Sequence, residues 1–313
     1  MKGVVVKSTG SWYDVRIDNS DEVISCRIKG KFRLDGMKLT NPVAVGDNVV
    51  VEKISNDYNI KEILPRTNYV VRQSPRKKHN LHILASNIDQ ALLVVSIRSP
   101  KLKQGFIDRF LLMTEPYDIP VIIVFNKFDV YEMEDIGTYE YLKELYEKIG
   151  YEVCCTSALE NKGLGFIKNR IQNKTTLIAG QSGVGKSSLV NALDIGVSLK
   201  TNEISDFSGK GQHTTTFAEM FDLEIGGRLI DTPGIKTLSF NHLEVMDVAH
   251  NFREFFQMSE NCKYNNCEHR KEPKCAVIKA IEDSEISELR YNNYLLILKE
   301  IEDQNYWELN TDF

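Results

Sequence analysis

Apolar residues in the first part of the chain recur in short alternating runs, at 4–7, 13–17, 24–28, 48–54 and 59–63, split by Gly10, Asn19, Gly30, Gly36 and Gly46. Alternation with a period of two, broken by turn-forming residues, predicts five β-strands. Strands this short and closely spaced fit a small OB-fold β-barrel over residues 1–65, with an SH3-like barrel as the alternative. From residue 88 the texture changes. Largely apolar, strand-like runs at 90–96, 121–125, 152–155 and 175–179 alternate with helix-compatible stretches at 106–117, at 140–149 and beyond Lys186. Strands that are apolar on both faces belong in a parallel sheet covered by helices, so residues 83–240 are expected to form an α/β domain. Strands are expected again at 219–224 and 227–230, and helices near 244–258 and 284–303 in a C-terminal helical domain of residues 241–313.

Charge sharpens this division. Residues 1–80 hold 15 Lys+Arg against 9 Asp+Glu, whereas residues 81–313 hold 24 against 35. The basic excess concentrates at 66–82, a polar stretch containing Pro75 that is expected to be an exposed basic linker. No apolar run approaches the ~18 residues of a membrane helix, and the first ten residues lack the apolar core of a secretory signal. A cytoplasmic protein without a membrane partner is therefore expected, with its six cysteines outside any disulfide framework.

Candidate chemistry starts at Gly180, Gln181, Ser182, Gly183, Val184, Gly185, Lys186 and Ser187, which fit G-x-x-x-x-G-K-[ST] between a strand and a helix. Glycines allow backbone N–H groups to turn toward phosphates, and the helix N-terminus that continues through Ser188 favours anions. Lys186 is expected on the β- and γ-phosphates and Ser187 on Mg²⁺. Asn126, Lys127, Phe128 and Asp129 follow the strand at 121–125 as N-K-x-D. A carboxylate at Asp129 matches the two donors on the guanine edge, which adenine lacks there. Thr156, Ser157 and Ala158 form the partner loop, with the Ala158 N–H expected at guanine O6. Asp231 and Gly234 complete a D-x-x-G element for Mg²⁺ and the γ-phosphate.

Near the C-terminus, Cys262, Cys267, His269 and Cys275 supply three thiols and an imidazole within fourteen residues. A closed Cys₃His set suits one structural Zn²⁺ and leaves no open position for catalysis. Lys263, Arg270, Lys271 and Lys274 interleave with these residues and offer a small basic surface for RNA.

The motif order is unusual. The guanine motifs at 126–129 and 156–158 precede the phosphate loop, which precedes D-x-x-G, so the parts of a P-loop GTPase are present in cyclic rotation. With the barrel, the segment Gly209-Lys-Gly-Gln-His-Thr-Thr-Thr216 and the Cys/His cluster, the whole chain resembles the circularly permuted ribosome-biogenesis GTPases of the RsgA (YjeQ) family. That resemblance implies a GTP-to-GDP hydrolase stimulated by the small ribosomal subunit, with that subunit and its rRNA as partners and a role late in its maturation. A monomer is expected. Segment 209–216 lies where switch I belongs, with Thr215 the first choice for Mg²⁺ and Thr214 and Thr216 as alternatives. Ile235 stands where Ras-like enzymes carry a water-orienting Gln, so His213 becomes the candidate catalytic residue, in line with the role proposed for the equivalent family histidine. A different class of reading is an RNA-binding OB/zinc module whose nucleotide site only stabilises the fold. Trp12, Tyr13 and Phe32 are candidates for base stacking in either case.

Overall fold

The computed structural model describes residues 1–20, 22–28, 41–73, 81–103, 105–193, 218–232 and 243–309. Five strands appear where alternation predicts them: β1 (Lys2–Ser8), β2 (Tyr13–Ile17), β3 (Val23–Ile28), β4 (Asn48–Ile54) and β5 (Asp57–Ile63). They pair in the order 1-2-3-5-4, and an antiparallel β1–β4 pairing closes the ring into an OB-like barrel. Inward positions, among them Val5, Val15, Cys26, Val49 and Ile60, form a separate core. Tyr13 belongs to that core and is 1% exposed, so it is withdrawn from the base-stacking candidates. Trp12 stays at the surface with the Arg27 guanidinium 4.0 Å from its ring centroid, and Phe32 lies outside the described residues.

The described parts of the 66–82 stretch, 66–73 and 81–82, differ from the expected exposed linker. Arg66 is buried against the Asp47 carboxylate, with Nε–Oδ1 and Nη2–Oδ2 distances both 2.6 Å, and Asp47 also accepts from Ser86 Oγ at 2.6 Å. Strand β6 (Tyr69–Gln73) then pairs antiparallel with β7 (Leu81–Ser86). Val70 and Val71 are buried there, because a short apolar run flanked by charge still forms a strand when a packed surface receives it.

The second half of the sheet reads β10 (Glu152–Cys155), β9 (Val121–Phe125), β8 (Gln90–Val95), β11 (Thr175–Gly180), β13 (Arg228–Asp231), β12 (Glu219–Asp222). All pairings among the first five are parallel, and β12 joins antiparallel. Successive side chains go to opposite faces. Leu93, Val95, Ile123 and Phe125 face one core with α1 (Phe106–Thr114) and α2 (Met133–Lys148). Leu92, Val94, Ile122 and Val124 face the other with α3 (Leu164–Ile171) and α4 (Lys186–Leu193). Helix α1 stops short of the expected 117 because Pro116 carries the chain into a 3-10 turn. Helix α2 starts earlier than expected because Glu132 and Asp135 form a capping box at its N-terminus.

Strand β12 also pairs with β1 at Lys7↔Glu219, so one continuous sheet joins barrel and α/β domain. Ion pairs Lys7–Glu219 (3.0 Å) and Arg16–Asp222 reinforce the join. The C-terminal helices α5 (Val245–His250), α6 (Arg253–Ser259), α7 (Ala276–Glu282) and α8 (Glu288–Leu309) share the α1/α2 core through Val248, Phe252, Phe255, Tyr294 and Ile297.

Candidate functional site

The loops singled out by the sequence all leave the carboxyl ends of parallel strands, where open α/β sheets bind ligands. The phosphate loop follows β11, N-K-x-D follows β9, Thr156-Ser157-Ala158 follows β10, and Asp231 ends β13. Asn126 ties three of them together. Its Nδ2 donates to Val184 O at 2.9 Å, and its Oδ1 accepts from Thr156 Oγ1 at 3.0 Å and from the Ala158 N–H at 3.3 Å. The side chain is 1% exposed, so these bonds form without competition from water.

Glycine is required on steric grounds in this loop. A Cβ on Gly180 would stand 2.1 Å from Val94 O, and one on Gly185 would stand 2.5 Å from Asn126 Nδ2. Both residues have positive φ, at 148° and 89°. The Lys127 chain passes over Gly185, its Cε 3.7 Å from the position of that missing Cβ. Lys186 Nζ donates to the carbonyls of Gly180 and Gln181, each at 3.0 Å. Burial holds its ammonium below the ordinary lysine range, and Asp231 pulls it partly back. An anion beside such a cation relieves the desolvation cost, so the cradle fits a phosphate group. Ser187 and the buried Asp231 are oxygen donors of the kind Mg²⁺ prefers.

At the opposite end, Asp129 is exposed and its Oδ1 accepts from Ser157 Oγ at 2.5 Å. The hydroxyl orients the carboxylate before any base arrives. Of the remaining candidates, Gln181, Val184 and Ser157 are buried, Ser182 is half-buried, and Gly183 and Ser188 are exposed. His213, Thr215 and Gly234 lie outside the described residues. Tyr131 was not anticipated: its hydroxyl donates to Asn126 O at 3.1 Å and accepts from the Ile97 N–H at 3.0 Å, bracing the guanine loop against the end of β8. A lone tyrosine five residues beyond Asn126 carries no sequence signal for that role.

The Cys/His set does come together. Cys262 Sγ lies 3.9 Å from Cys275 Sγ and 3.8 Å from His269 Nδ1, and Cys275 Sγ lies 3.4 Å from the same nitrogen. With Cys267, one ligand atom from each residue falls within 4.8 Å of all the others. Bonds of about 2.0–2.3 Å in a tetrahedron give edges of about 3.5–3.8 Å, so the donor set fits Zn²⁺. Backbone N–H groups of Ala276 and Ile278 point at the sulfurs of Cys262 and Cys275. Without a cation, burial pushes the Cys267 thiol up to about 12. Tyr291 and Tyr294 anchor the loop to α8 through the carbonyls of His269 and Glu268. Arg270, expected on a free basic surface, is paired with Glu302 (2.8 Å) and Glu268 (3.4 Å), so the basic knuckle is smaller than expected.

A buried polar network fastens this unit to the α/β domain and was also missed. Arg290 Nη1 meets Asp108 Oδ1 at 2.6 Å, and its Nε and Nη2 meet the Glu254 carboxylate at 2.7 and 2.8 Å. Tyr146 and Asn293 donate to Asp108 at 2.6 and 2.5 Å. The only hint in the sequence is one acid within the otherwise apolar face of α1.

A phosphate loop, a guanine loop on the preceding strands and a cyclically rotated strand order define a circularly permuted GTPase. Known proteins agree. The sequence profile described as RsgA GTPase matches residues 63–241, and the RsgA N-terminal domain profile matches residues 2–59. The chain is 47% identical over 307 residues to the small ribosomal subunit biogenesis GTPase RsgA of Bacteroides fragilis, covering 98% of this chain and 99% of that one. The Flavobacterium psychrophilum protein of the same name is 46% identical over 310 residues, covering 98% and 94%. Among solved structures, YjeQ from Thermotoga maritima superposes with a TM-score of 0.76 at 32% identity, covering 96% and 98% of the two chains. YloQ, described as a circularly permuted GTPase, gives 0.71 at 34% identity, covering 97% and 95%. This chain belongs to the RsgA family and hydrolyses GTP.

Proposed function

We propose that this GTPase docks on the small ribosomal subunit and its rRNA, assists late maturation of that subunit, and leaves it after hydrolysis. The observation that carries the reading is full-length similarity to relatives named for small-subunit biogenesis, on a chain whose phosphate and guanine loops converge through Asn126. Backbone N–H groups of 180–188 would cradle the phosphates, with Lys186 moving from the Gly180 and Gln181 carbonyls onto the β- and γ-oxygens. Ser187 and Asp231 would hold Mg²⁺, joined by Thr215. When bound, Mg²⁺ neutralises charge that builds on the phosphate oxygens. Asp129, oriented by Ser157, would accept from the guanine edge, while Asn126 and Lys127 hold the loop and Ala158 approaches O6. His213 would position the attacking water in place of the absent Gln, with Gly234 at the γ-phosphate. Cys262, Cys267, His269 and Cys275 would hold one Zn²⁺ that shapes the C-terminal unit. The barrel of 1–65 and the helical unit of 241–313 would grip rRNA on either side of the nucleotide domain of 83–240, in a monomeric cytoplasmic protein without a membrane partner. No helix among the described residues is long and apolar enough to cross a bilayer.

Phosphate release from GTP, measured with and without small ribosomal subunits, tests this reading. Slow basal turnover should rise toward the ~10³-fold scale that assistance in trans supplies. Unchanged turnover with persistent RNA binding would favour the RNA-binding module instead.

A further inference from the structure

The C-terminal unit meets α2 across a groove of about 830 Å³. Leu145 from α2 and Ile149 just past its end, Met258 from α6, and Ile281 and Ile286 from the α7–α8 corner make its floor. Ile149, Met258 and Ile281 remain half-exposed, and Tyr141 at one end is 51% exposed. Apolar side chains left facing water inside a concavity mark a docking surface more often than a stretch of ordinary surface does.

The rim selects the occupant. Glu144, Glu285 and Glu288 are exposed there, and none of them has an ion-pair partner among the described residues. Lys148 lies among them, its ammonium bonded to the neutral Glu285 carbonyl at 2.8 Å, so one positive charge stands against three carboxylates. Glu254, deeper in, shares the Arg290 guanidinium with Asp108. The groove thus keeps an acidic excess that repels a phosphate backbone and attracts cationic side chains.

We propose that this groove docks a basic, amphipathic segment of a protein partner, with apolar side chains on the Met258–Ile281 floor and Lys or Arg against the glutamates. This goes beyond the ribosomal reading and does not depend on it. Because the walls come from α2 on one side and α6 to α8 on the other, an occupant straps the C-terminal unit to the nucleotide domain.

The test uses the full-length protein and a fluorescein-labelled arginine- and leucine-rich peptide, read by anisotropy. A glutamate-substituted peptide and a single-stranded RNA serve as competitors. The basic peptide should bind saturably and protect α2 and the α7–α8 corner from hydrogen exchange. Glu144→Arg/Glu285→Arg should weaken it by ~10-fold, and Met258→Ser by a few-fold, with GTP turnover unchanged in both. Equal affinity for wild type and the charge-reversed variant overturns the proposal. So does absence of peptide binding, protection confined to other elements, or protection of the groove by RNA.

Discussion

Around the phosphate loop, position comes from the backbone: glycines that admit no Cβ, strand ends in register, and Asn126 bonding its own loop to two others. In the C-terminal unit, α5, α6 and α7 are only six or seven residues long, and helices that short do not persist alone. Side chains hold them instead, through the Cys/His set at one end and the Asp108–Arg290–Glu254 network at the other. The contrast teaches that the described phosphate and guanine loops are positioned by the sheet, whereas the C-terminal unit depends on a few buried polar groups.

The comparison can be broken most severely by chelating the Zn²⁺ proposed for the Cys/His set or by Cys275→Ser. Structural zinc supplies roughly 10–16 kcal/mol of apparent binding energy in small domains. Hydrogen exchange should therefore accelerate across 262–275 and α7, while GTP affinity stays within about twofold. A large loss of GTP affinity would show that the two regions are not separable. Next comes Asp108→Ala, which leaves Arg290 buried without one of its carboxylates. That change should cost about 3–5 kcal/mol in urea unfolding, and Asp108→Asn, which keeps hydrogen-bonding capacity, should cost less. Lys186→Ala should lower GTP turnover by at least ~100-fold, with circular dichroism unchanged. Matched losses of turnover and secondary structure would assign Lys186 a structural role. Least affected is the sheet junction: Lys7→Met removes an ion pair whose side chains are each 35% exposed. Solvent screening should keep that stability change near ~0.5 kcal/mol in thermal melts.

Periodicity made most of the fold legible. The five barrel strands and the strands at 90–96, 121–125, 152–155 and 175–179 were readable because each has a core face set by local alternation or by a largely apolar run. Strand β6 was not, since Tyr69-Val70-Val71 is too short to stand out from the charges around it. Helix α7 was hidden by the cysteines, although Cys275 is itself the residue that caps it. The nucleotide and Cys/His candidates were legible because their chemistry demands fixed spacings. Tyr131 and Arg290 were not, because their partners lie on other elements.

From sequence alone came the motif identities, their rotated order and the Cys₃His donor set, since each is a local pattern of residue types. Only the tertiary structure decided that Asn126 joins three loops, that β12 runs into the barrel, and that Arg290 reaches Asp108 across 182 positions. Those contacts depend on which surfaces the packed core brings together, and no local pattern along the chain encodes that.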